Sequence, residues 1–376
     1  MKSLFFLIFM VSISASAQQV RFRVFAPGLS DTNIIYITGS HPSIGNWDPS
    51  KKSLSYQGNS VWETSISLSE PLILQYKYTL GSWAREALGI SGNTLPNHVL
   101  VIQHDTTIAD TVMRWKSVGE RQKTLTGNFR YHQAMKAEGL KDRDITVWLP
   151  PGYDSTDKKY PVLYLQDGQN LFDVTTSAFG TEWRVDESAD SMIRSGTIPP
   201  LIIVGINNTA DRSDEYLPWQ KNKAYKNFLV HKLKAFIDSA YRTKKDAANT
   251  IIGGSSAGGI LAFMMVWEYP QVFSKAICMS PAFVNPEGFK DKFDYVTTVK
   301  EGERRPKKVF FYIDNGGRDL DKLLQPGVDD MLKGLAAWRL RPGKDFVFIH
   351  DETATHNEGA WAKRFPYALK RVFANY

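Results

Sequence analysis

The stretch "IIGGSSAGG", from Ile251 to Gly259, places two serines among glycines and between two apolar runs. The run "NTIIGG" has the character of a buried strand, and "AGGILAFMMVWEYP" has the character of a helix. A tight strand-to-helix turn with the pattern Gly-x-Ser-x-Gly lifts one serine above a sheet, and its glycines permit a strained backbone and close packing. Aligning that pattern with residues 254–258 predicts Ser256 as an exposed nucleophile and Ser255 as the intervening residue. The alternative is a glycine-rich structural turn.

The sequence around this stretch alternates between strand-like and helix-like segments. Runs such as "YPVLYLQDGQN", "PPLIIVGINN" and "KKVFFYIDNGG" are apolar on both faces, as buried parallel strands are. Helix-like segments such as "YKNFLVHKLKAFIDSAYRT" separate them. The pattern predicts a doubly wound α/β sheet, in which functional residues lie at the carboxyl ends of the strands.

A serine hydroxyl needs a base, and in this type of fold the order along the chain is nucleophile, acid, histidine. After Ser256 the chain has only His350 and His356. His350 closes the strand-like run "DFVFIHDE", whereas His356 lies in the loop before the last helix, from which it can approach the serine. We therefore favour His356 as the base.

The acid is expected after the intervening strand, in "VFFYIDNGGRDLDKLL". Asp314 ends the strand, Asp319 follows the Gly-Gly turn, and Asp321 lies inside the next helix. We favour Asp319, with Asp314 and Asp321 as open alternatives, because a carboxylate just beyond a strand can orient the imidazole. Asp319 could instead be a helix N-cap.

The predicted reaction also needs donors for the charge that develops on the attacked carbonyl oxygen. The backbone N–H of Ala257 opens the helix after Ser256, where the helix dipole favours negative charge. A second backbone donor is expected from Gly168 or Gln169, in the loop after the strand "PVLYLQDG".

The front of the chain has a different texture. Short runs rich in β-branched and aromatic residues, such as "QVRFRVFA", "NIIYITG" and "LILQYKYTL", alternate with turn clusters. This spacing predicts an immunoglobulin-like β-sandwich of about a hundred residues. Lys77 alternates with Tyr76 and Tyr78, so Lys77 is expected to point outward if the tyrosines point inward.

Composition sets further expectations. Lys2, an apolar run and Ala15-Ser16-Ala17 predict a signal peptide cut after Ala17, with a membrane anchor as the alternative. The mature chain is therefore expected to be secreted or periplasmic, without a membrane span. Its basic residues are scattered despite a net charge of +7, which does not favour a nucleic-acid partner. Cys278 stands alone, more typical of a small buried residue than of a catalytic thiol. No metal or cofactor motif is present, and none is expected to be needed.

Four motifs of the second half, "LYLQDGQNLFD", "GGSSAGG", "YIDNGGRD" and "ATHNEGAWAKRF", resemble the esterase group of α/β-hydrolases. That group includes feruloyl and acetyl-xylan esterases of carbohydrate esterase family one, enterochelin esterases and esterase D. The resemblance runs from about Thr124 to the end, and it implies Ser256 as nucleophile, Asp319 as acid and His356 as base. The stretch "NNTADRSDEYLPW" resembles the substrate-side loop of that group. The residues it would contribute to the cleft, unless they are solvated loop residues, are Arg212, Glu215, Tyr216 and Trp219.

The front half resembles starch-binding modules of carbohydrate-binding family twenty. The motifs are "YITGSHPSIGNWDP", "LQYKYTLGSWARE" and "GNTLPNHVL". The resemblance implies sugar stacking on Trp47 and Trp83 beside Lys77. Many relatives have Asn-Arg where this chain has Asn97-His98, and a packing domain is the alternative interpretation.

These features predict an exported serine esterase with an α/β-hydrolase domain behind a smaller β-sandwich. The expected segments are a signal peptide (1–17), the sandwich (18–115), a linker (116–123) and the hydrolase domain (124–376). The expected substrate is an acylated carbohydrate, such as an acetylated or feruloylated glycan, with a glucan as a candidate ligand of the sandwich. A siderophore trilactone esterase is the rival enzyme, and a glycan-binding protein with an inert hydrolase domain is the rival from another class.

Overall fold

A computed structural model describes residues 17–27, 29–89, 94–116, 123–178, 180–286 and 292–374. Apart from Ala17, Lys116 and Lys123, the predicted signal peptide and linker lie outside these ranges. In the described part, an all-β region precedes a mixed α/β region, which confirms the predicted fold class.

Ten strands make up the N-terminal region. They are β1 (Gln18–Phe25), β2 (Tyr36–Gly39), β3 (Lys52–Ser53), β4 (Ser55–Gly58), β5 (Val61–Leu68), β6 (Leu72–Thr79), β7 (Ala87–Leu88), β8 (His98–Ile102), β9 (Thr106–Thr111) and β10 (Arg114–Trp115). Two four-stranded sheets, ordered β4-β5-β1-β9 and β3-β2-β6-β8, enclose one core, and β10 pairs with β7. In β1 the inward residues Val20, Phe22 and Val24 are buried between exposed arginines, the alternation of a half-buried strand. By contrast, β6 is buried on both faces.

The C-terminal region is built on one eight-stranded sheet. Its strands are β11 (Asn128–Ala137), β12 (Leu140–Leu149), β13 (Val162–Gln166), β14 (Ile202–Ile206), β15 (Thr250–Ser255), β16 (Lys275–Met279), β17 (Phe310–Gly316) and β18 (Phe346–Asp351). The order is β11-β12-β14-β13-β15-β16-β17-β18. The six strands β13 to β18 are parallel to one another. Cys278 is buried in β16, where burial raises the pKa of its thiol, so it behaves as a small apolar residue.

Helices cover both faces of this sheet. They are α1 (Val185–Arg194), α2 (Arg212–Tyr216), α3 (Asn222–Asn227), α4 (Lys234–Ala240), α5 (Ala257–Glu268), α6 (Tyr295–Lys300), α7 (Asp319–Ala337) and α8 (Glu358–Phe373), with a π-helical segment (Phe228–Leu233) joining α3 to α4. One core lies under α3 to α7, and a second lies under α1 and α8. None of the helices in the described ranges has the length and apolar character needed to cross a bilayer.

The two regions touch near the carboxyl ends of the parallel strands. Helix α7, which follows β17, packs against β8 of the sandwich. The hydroxyls of Thr181 and Thr94 lie 3.5 Å apart across the same boundary. The sandwich therefore borders the sheet edge at which function is expected.

Candidate active site

Ser256 occupies the turn between β15 and α5. Its backbone has φ 56° and ψ −120°, outside the usual regions for a non-glycine residue. The crossing is tight because a Cβ on Gly254 would lie 2.7 Å from the carbonyl carbon of Gly258. The Ser256 N–H donates to the Met279 carbonyl at 2.9 Å, which fixes the turn to β16. Ser255 is buried at the end of β15, whereas Ser256 is half-buried.

His356 lies in the loop between β18 and α8 and contacts a buried carboxylate. Its Nδ1 is 2.6 Å from Oδ1 of Asp321, a side chain with no exposed surface. The Trp361 ring packs edge-on against the imidazole, at 5.0 Å between centroids. His350, the other candidate, is exposed on β18 and stacks on Phe348 instead. The imidazole is thus held by its Nδ1 side, the arrangement that leaves Nε2 to act as a base.

The acid favoured from the sequence needs correction. Asp321, not Asp319, contacts His356. Asp319 opens α7 with a left-handed backbone (φ 52°), whereas Asp321 lies inside the first helical turn, so the two side chains point in different directions. Asp321 therefore points under the sheet edge while Asp319 is exposed. Asp314 is also buried but binds the Tyr312 hydroxyl at 2.9 Å and Arg364 at 3.3 Å, and burial raises its pKa to about 6.

A buried polar network around Ser280 supports the pair, and sequence reasoning did not identify it. The Ser280 hydroxyl donates to Oδ2 of Asp321 at 3.2 Å and accepts from Trp361 Nε1 and Arg364 Nη2 at 3.0 and 2.8 Å. The Gly316 N–H donates to the same Oδ2 at 3.0 Å. The available signal was positional, because Ser280 directly follows β16 at the functional edge. The network fixes the carboxylate and couples α7 to α8.

The loop after β13 supplies the second expected group of donors. Asp167 has φ 58°, and Gly168 and Gln169 follow it in a short 3-10 turn (Gly168–Asn170). A Cβ on Gly258 would lie 3.6 Å from Oδ2 of Asp167, so this loop borders the first turn of α5. The N–H of Ala257 belongs to that turn, where backbone donors lack intrahelical partners. The loop that carries the second predicted donors therefore borders the helical turn that carries the first.

Arg212 braces this loop. Its Nε and Nη2 bind the two carboxylate oxygens of Asp167 at 2.7 and 2.8 Å, and Asn208 Nδ2 donates to Oδ1 at 2.6 Å. A bidentate guanidinium–carboxylate pair fixes both partners in one orientation. Arg212 thus holds the loop, and its side chain remains 31% exposed. The prediction that it lines a cleft stays a prediction.

Two of the other residues predicted to line the cleft cannot do so, because they are buried. Glu215 and Tyr216 have no exposed surface. Glu215 forms a buried ion pair with Arg143 at 2.7 Å, and the Tyr216 hydroxyl accepts from the Asp167 N–H at 3.4 Å. Trp219 is half-buried and packs edge-on against Phe293. The short helix α2 thus directs Glu215 and Tyr216 into the protein, where their partners are Arg143 and Asp167.

The Ser256 hydroxyl and the Nε2 of His356 form no hydrogen bond with any residue in the described ranges. In free hydrolases this contact is often long and tightens only when substrate is bound. Nearby, Glu358 is the first residue of α8, and burial raises the pKa of its carboxyl to about 7. The charge of Lys77, in the sandwich, acts in the opposite direction and favours the ionised carboxylate. The sandwich therefore reaches the electrostatic surroundings of the pair.

The residues expected to bind sugar divide into two groups. Trp47 and Trp83 are half-buried, with ring centroids 6.3 Å apart and planes 34° from parallel. Tyr76 and Tyr78 point into the core, as expected. Lys77 departs from expectation: it is 7% exposed, and its Nζ pairs with the fully buried Glu86 at 3.1 Å. Lys77 therefore neutralises Glu86 instead of facing solvent.

Comparisons with known proteins agree with the fold. A family model described as "Putative esterase" matches residues 137–372, and one described as "Starch binding domain" matches residues 17–126. A solved ferulic acid esterase has a TM-score of 0.53 at 20% identity, covering 66% of this chain and 99% of its own. The enterobactin esterase of Shigella flexneri has a TM-score of 0.58 at 13% identity, covering 96% of this chain and 95% of its own. These likenesses confirm a hydrolase-type α/β fold behind a β-domain.

Sequence relatives cover less of the chain. An endo-1,4-beta-xylanase/feruloyl esterase of Xylanibacter ruminicola is 30% identical over 162 residues, which are 40% of this chain and 21% of that protein. Two uncharacterised Bacillus subtilis proteins, 28% and 23% identical, match over 56% and 58% of their own lengths. The chain thus spans little more than half the length of the two Bacillus subtilis relatives and about a fifth of the Xylanibacter ruminicola enzyme.

Proposed function

Because this chain belongs to the esterase family whose model matches residues 137–372, we propose that it hydrolyses carboxylic esters through Ser256, His356 and Asp321. The observation that carries the proposal is the 2.6 Å contact between His356 and Asp321 at the sheet edge where Ser256 sits on its strained turn. All three residues follow parallel strands, and the carboxyl ends of such strands meet at one edge of the sheet.

The chemistry would proceed in two steps. His356 Nε2 takes the proton of the Ser256 hydroxyl, and Oγ attacks the ester carbonyl. The charge on the carbonyl oxygen is held by the backbone N–H of Ala257 and that of Gly168 or Gln169. The imidazolium then gives its proton to the leaving alcohol, and an acyl-enzyme forms. Water, deprotonated by His356, releases the acid, while Asp321 keeps the proton on Nδ1 throughout.

We propose an acylated carbohydrate as the substrate, such as an acetylated or feruloylated glycan. The support is twofold: residues 17–126 match the starch-binding model, and feruloyl and ferulic acid esterases are among the relatives. A siderophore trilactone is the second candidate, since the enterobactin esterase matches 96% of the chain, including the front domain.

A panel of soluble esters tests the proposed function. It contains acetylated and feruloylated sugars, the methyl esters of the same acids, and a catecholate trilactone. A fluorophosphonate probe reports the reactive serine. We expect probe labelling of Ser256 and turnover of the sugar esters. Preferred turnover of the trilactone would favour the siderophore reaction instead. Absence of both labelling and turnover would leave a glycan-binding protein with an inert hydrolase domain.

We also propose that Trp47 and Trp83 form a platform for a glucan. Their adjacent, half-buried rings suit stacking against the apolar face of a sugar. We expect Trp47→Ala and Trp83→Ala each to weaken binding by about 1 kcal/mol, roughly fivefold. Retardation of the full chain in native gels containing soluble starch measures this. Tyr131→Ala is the control, because Tyr131 is 58% exposed on β11 of the other region. Equal retardation of all variants and wild type would contradict the platform.

Export is proposed on the sequence alone, from Lys2, the apolar run and the small residues ending at Ala17. The mass of the protein recovered outside the cytoplasm tests it. A mass that includes residues 1–17 would contradict cleavage after Ala17.

A further inference from the structure

A cleft of about 490 Å³ lies where the sandwich meets helix α7. One wall comes from β8 and the residues before it, and the other comes from the first turns of α7. Its polar lining residues are Asn97 and His98 on the first wall and Asp319 and Lys322 on the second, and the exposed apolar residue among its lining is Val101.

We propose that this cleft binds the alcohol portion of the ester and that the alcohol it accepts is a sugar. The inference rests on the proposed esterase function and assigns one half of the substrate to a site built by both regions. Trp47 and Trp83 do not line the cleft, so it is separate from the tryptophan pair.

The position of the cleft follows from the start of α7. Asp319 lines it, and Asp321, two residues later, holds His356. Burial and Asp321 raise the pKa of Asp319, while His356 lowers it, so the carboxylate lies within electrostatic reach of the imidazole. The leaving oxygen must receive its proton from His356. An alcohol in the cleft would therefore extend away from the reacting bond beside the imidazole.

Asp319 has the properties of a ligand-facing group. Its carboxylate is exposed, and no residue in the described ranges hydrogen-bonds to it or pairs with it. A carboxylate is an acceptor only and suits the donating hydroxyls of a sugar.

The opposite wall adds neutral polar and apolar surface. His98 stacks on Tyr76 with centroids 4.7 Å apart, and burial lowers the pKa of its imidazole, which favours the neutral form. Val101 is 56% exposed. A sugar ring has hydroxyl edges and an apolar face, and this lining offers a counterpart to each. A small alkyl alcohol would leave the polar groups unused.

The test compares two esters of one acid, methyl ferulate and feruloyl-arabinose, and measures the ratio of their kcat/KM values. We expect the wild type to favour the sugar ester, and Asp319→Asn and Val101→Trp each to lower that ratio about tenfold. An effect of Asp319 on His356 acts on both esters and cancels in the ratio. The tryptophan fills the cleft from an exposed position on the other wall, so it tests the site independently.

Asp330→Asn is the matched control, because Asp330 lies on the same helix and pairs with Lys333 at the surface. It should leave the ratio unchanged. A sugar preference that neither cleft variant alters, or no sugar preference in the wild type, would overturn the assignment. If the wild type hydrolyses neither of these two esters nor any other ester of the panel, the esterase function itself is refuted, and the cleft assignment with it.

Discussion

Replacing Ser256 with alanine is expected to lower ester turnover about a millionfold, the loss seen when a triad nucleophile is removed from a well-studied hydrolase. The expected loss is large because the neighbouring hydroxyl, that of Ser255, is buried at the end of β15 and cannot replace that of Ser256 at the head of α5. The measurement is kcat on a p-nitrophenyl ester, with enzyme concentrations high enough to detect residual rates. Thermal unfolding of the variant confirms that the fold is intact.

Ser255→Ala is the matched control, since it makes the same change one residue earlier. Ser255 is 3% exposed at the end of β15, so its loss removes at most a local contact. We expect this variant to keep most of the wild-type turnover. Equal activity of the two variants would refute the nucleophile elbow, and loss of activity in Ser255→Ala alone would move the nucleophile.

Asp321→Asn is expected to lower kcat about ten-thousandfold, as an amide does when it replaces the triad acid of a serine protease. The amide can donate to Nδ1 and so hold the imidazole in the tautomer that protonates Nε2, which then cannot accept the serine proton. The KM should change little, because Asp321 is fully buried and does not face the substrate. Steady-state kinetics on a small soluble ester measure both constants.

The neighbouring aspartates provide the comparison. Asp319→Asn should reduce kcat on the small ester far less than Asp321→Asn, since Asp319 does not contact His356. Asp314→Asn weakens a buried ion pair with Arg364 and should chiefly lower the unfolding temperature. An Asp319→Asn loss as large as that of Asp321→Asn would return the acid to Asp319.

The architecture and the turn at Ser256 were predictable because they depend on local patterns: apolar runs, glycine spacing and helix-like segments. The acid was not, because Asp319 and Asp321 share one short stretch and differ only in their place at the start of α7, where Asp319 has a left-handed backbone and Asp321 lies inside the helix. The start of a helix is poorly specified by sequence. A start at Asp319 turns Asp321, rather than Asp319, toward the sheet.

The substrate-side residues failed for a different reason. Glu215 is neutralised by Arg143, a residue 72 positions earlier, and Lys77 is neutralised by Glu86, across a turn from β6. A charged residue in a loop-like sequence gives no sign of such a partner, so it looks available for a ligand. Burial of charge becomes tolerable only when the tertiary fold brings the partner within hydrogen-bonding distance.

The network around Ser280 has a consequence for descendants of this chain that lose catalysis over evolutionary time. Asp321 and Trp361 are hydrogen-bonded to the buried Ser280 hydroxyl, which also binds Arg364. Substitution of Asp321 or Trp361 would therefore leave unsatisfied polar groups inside the protein. Selection for a folded chain alone would retain them. The Ser256 hydroxyl has no such structural role, because no described residue hydrogen-bonds to it. We therefore expect an inactive descendant to lose the serine before the aspartate.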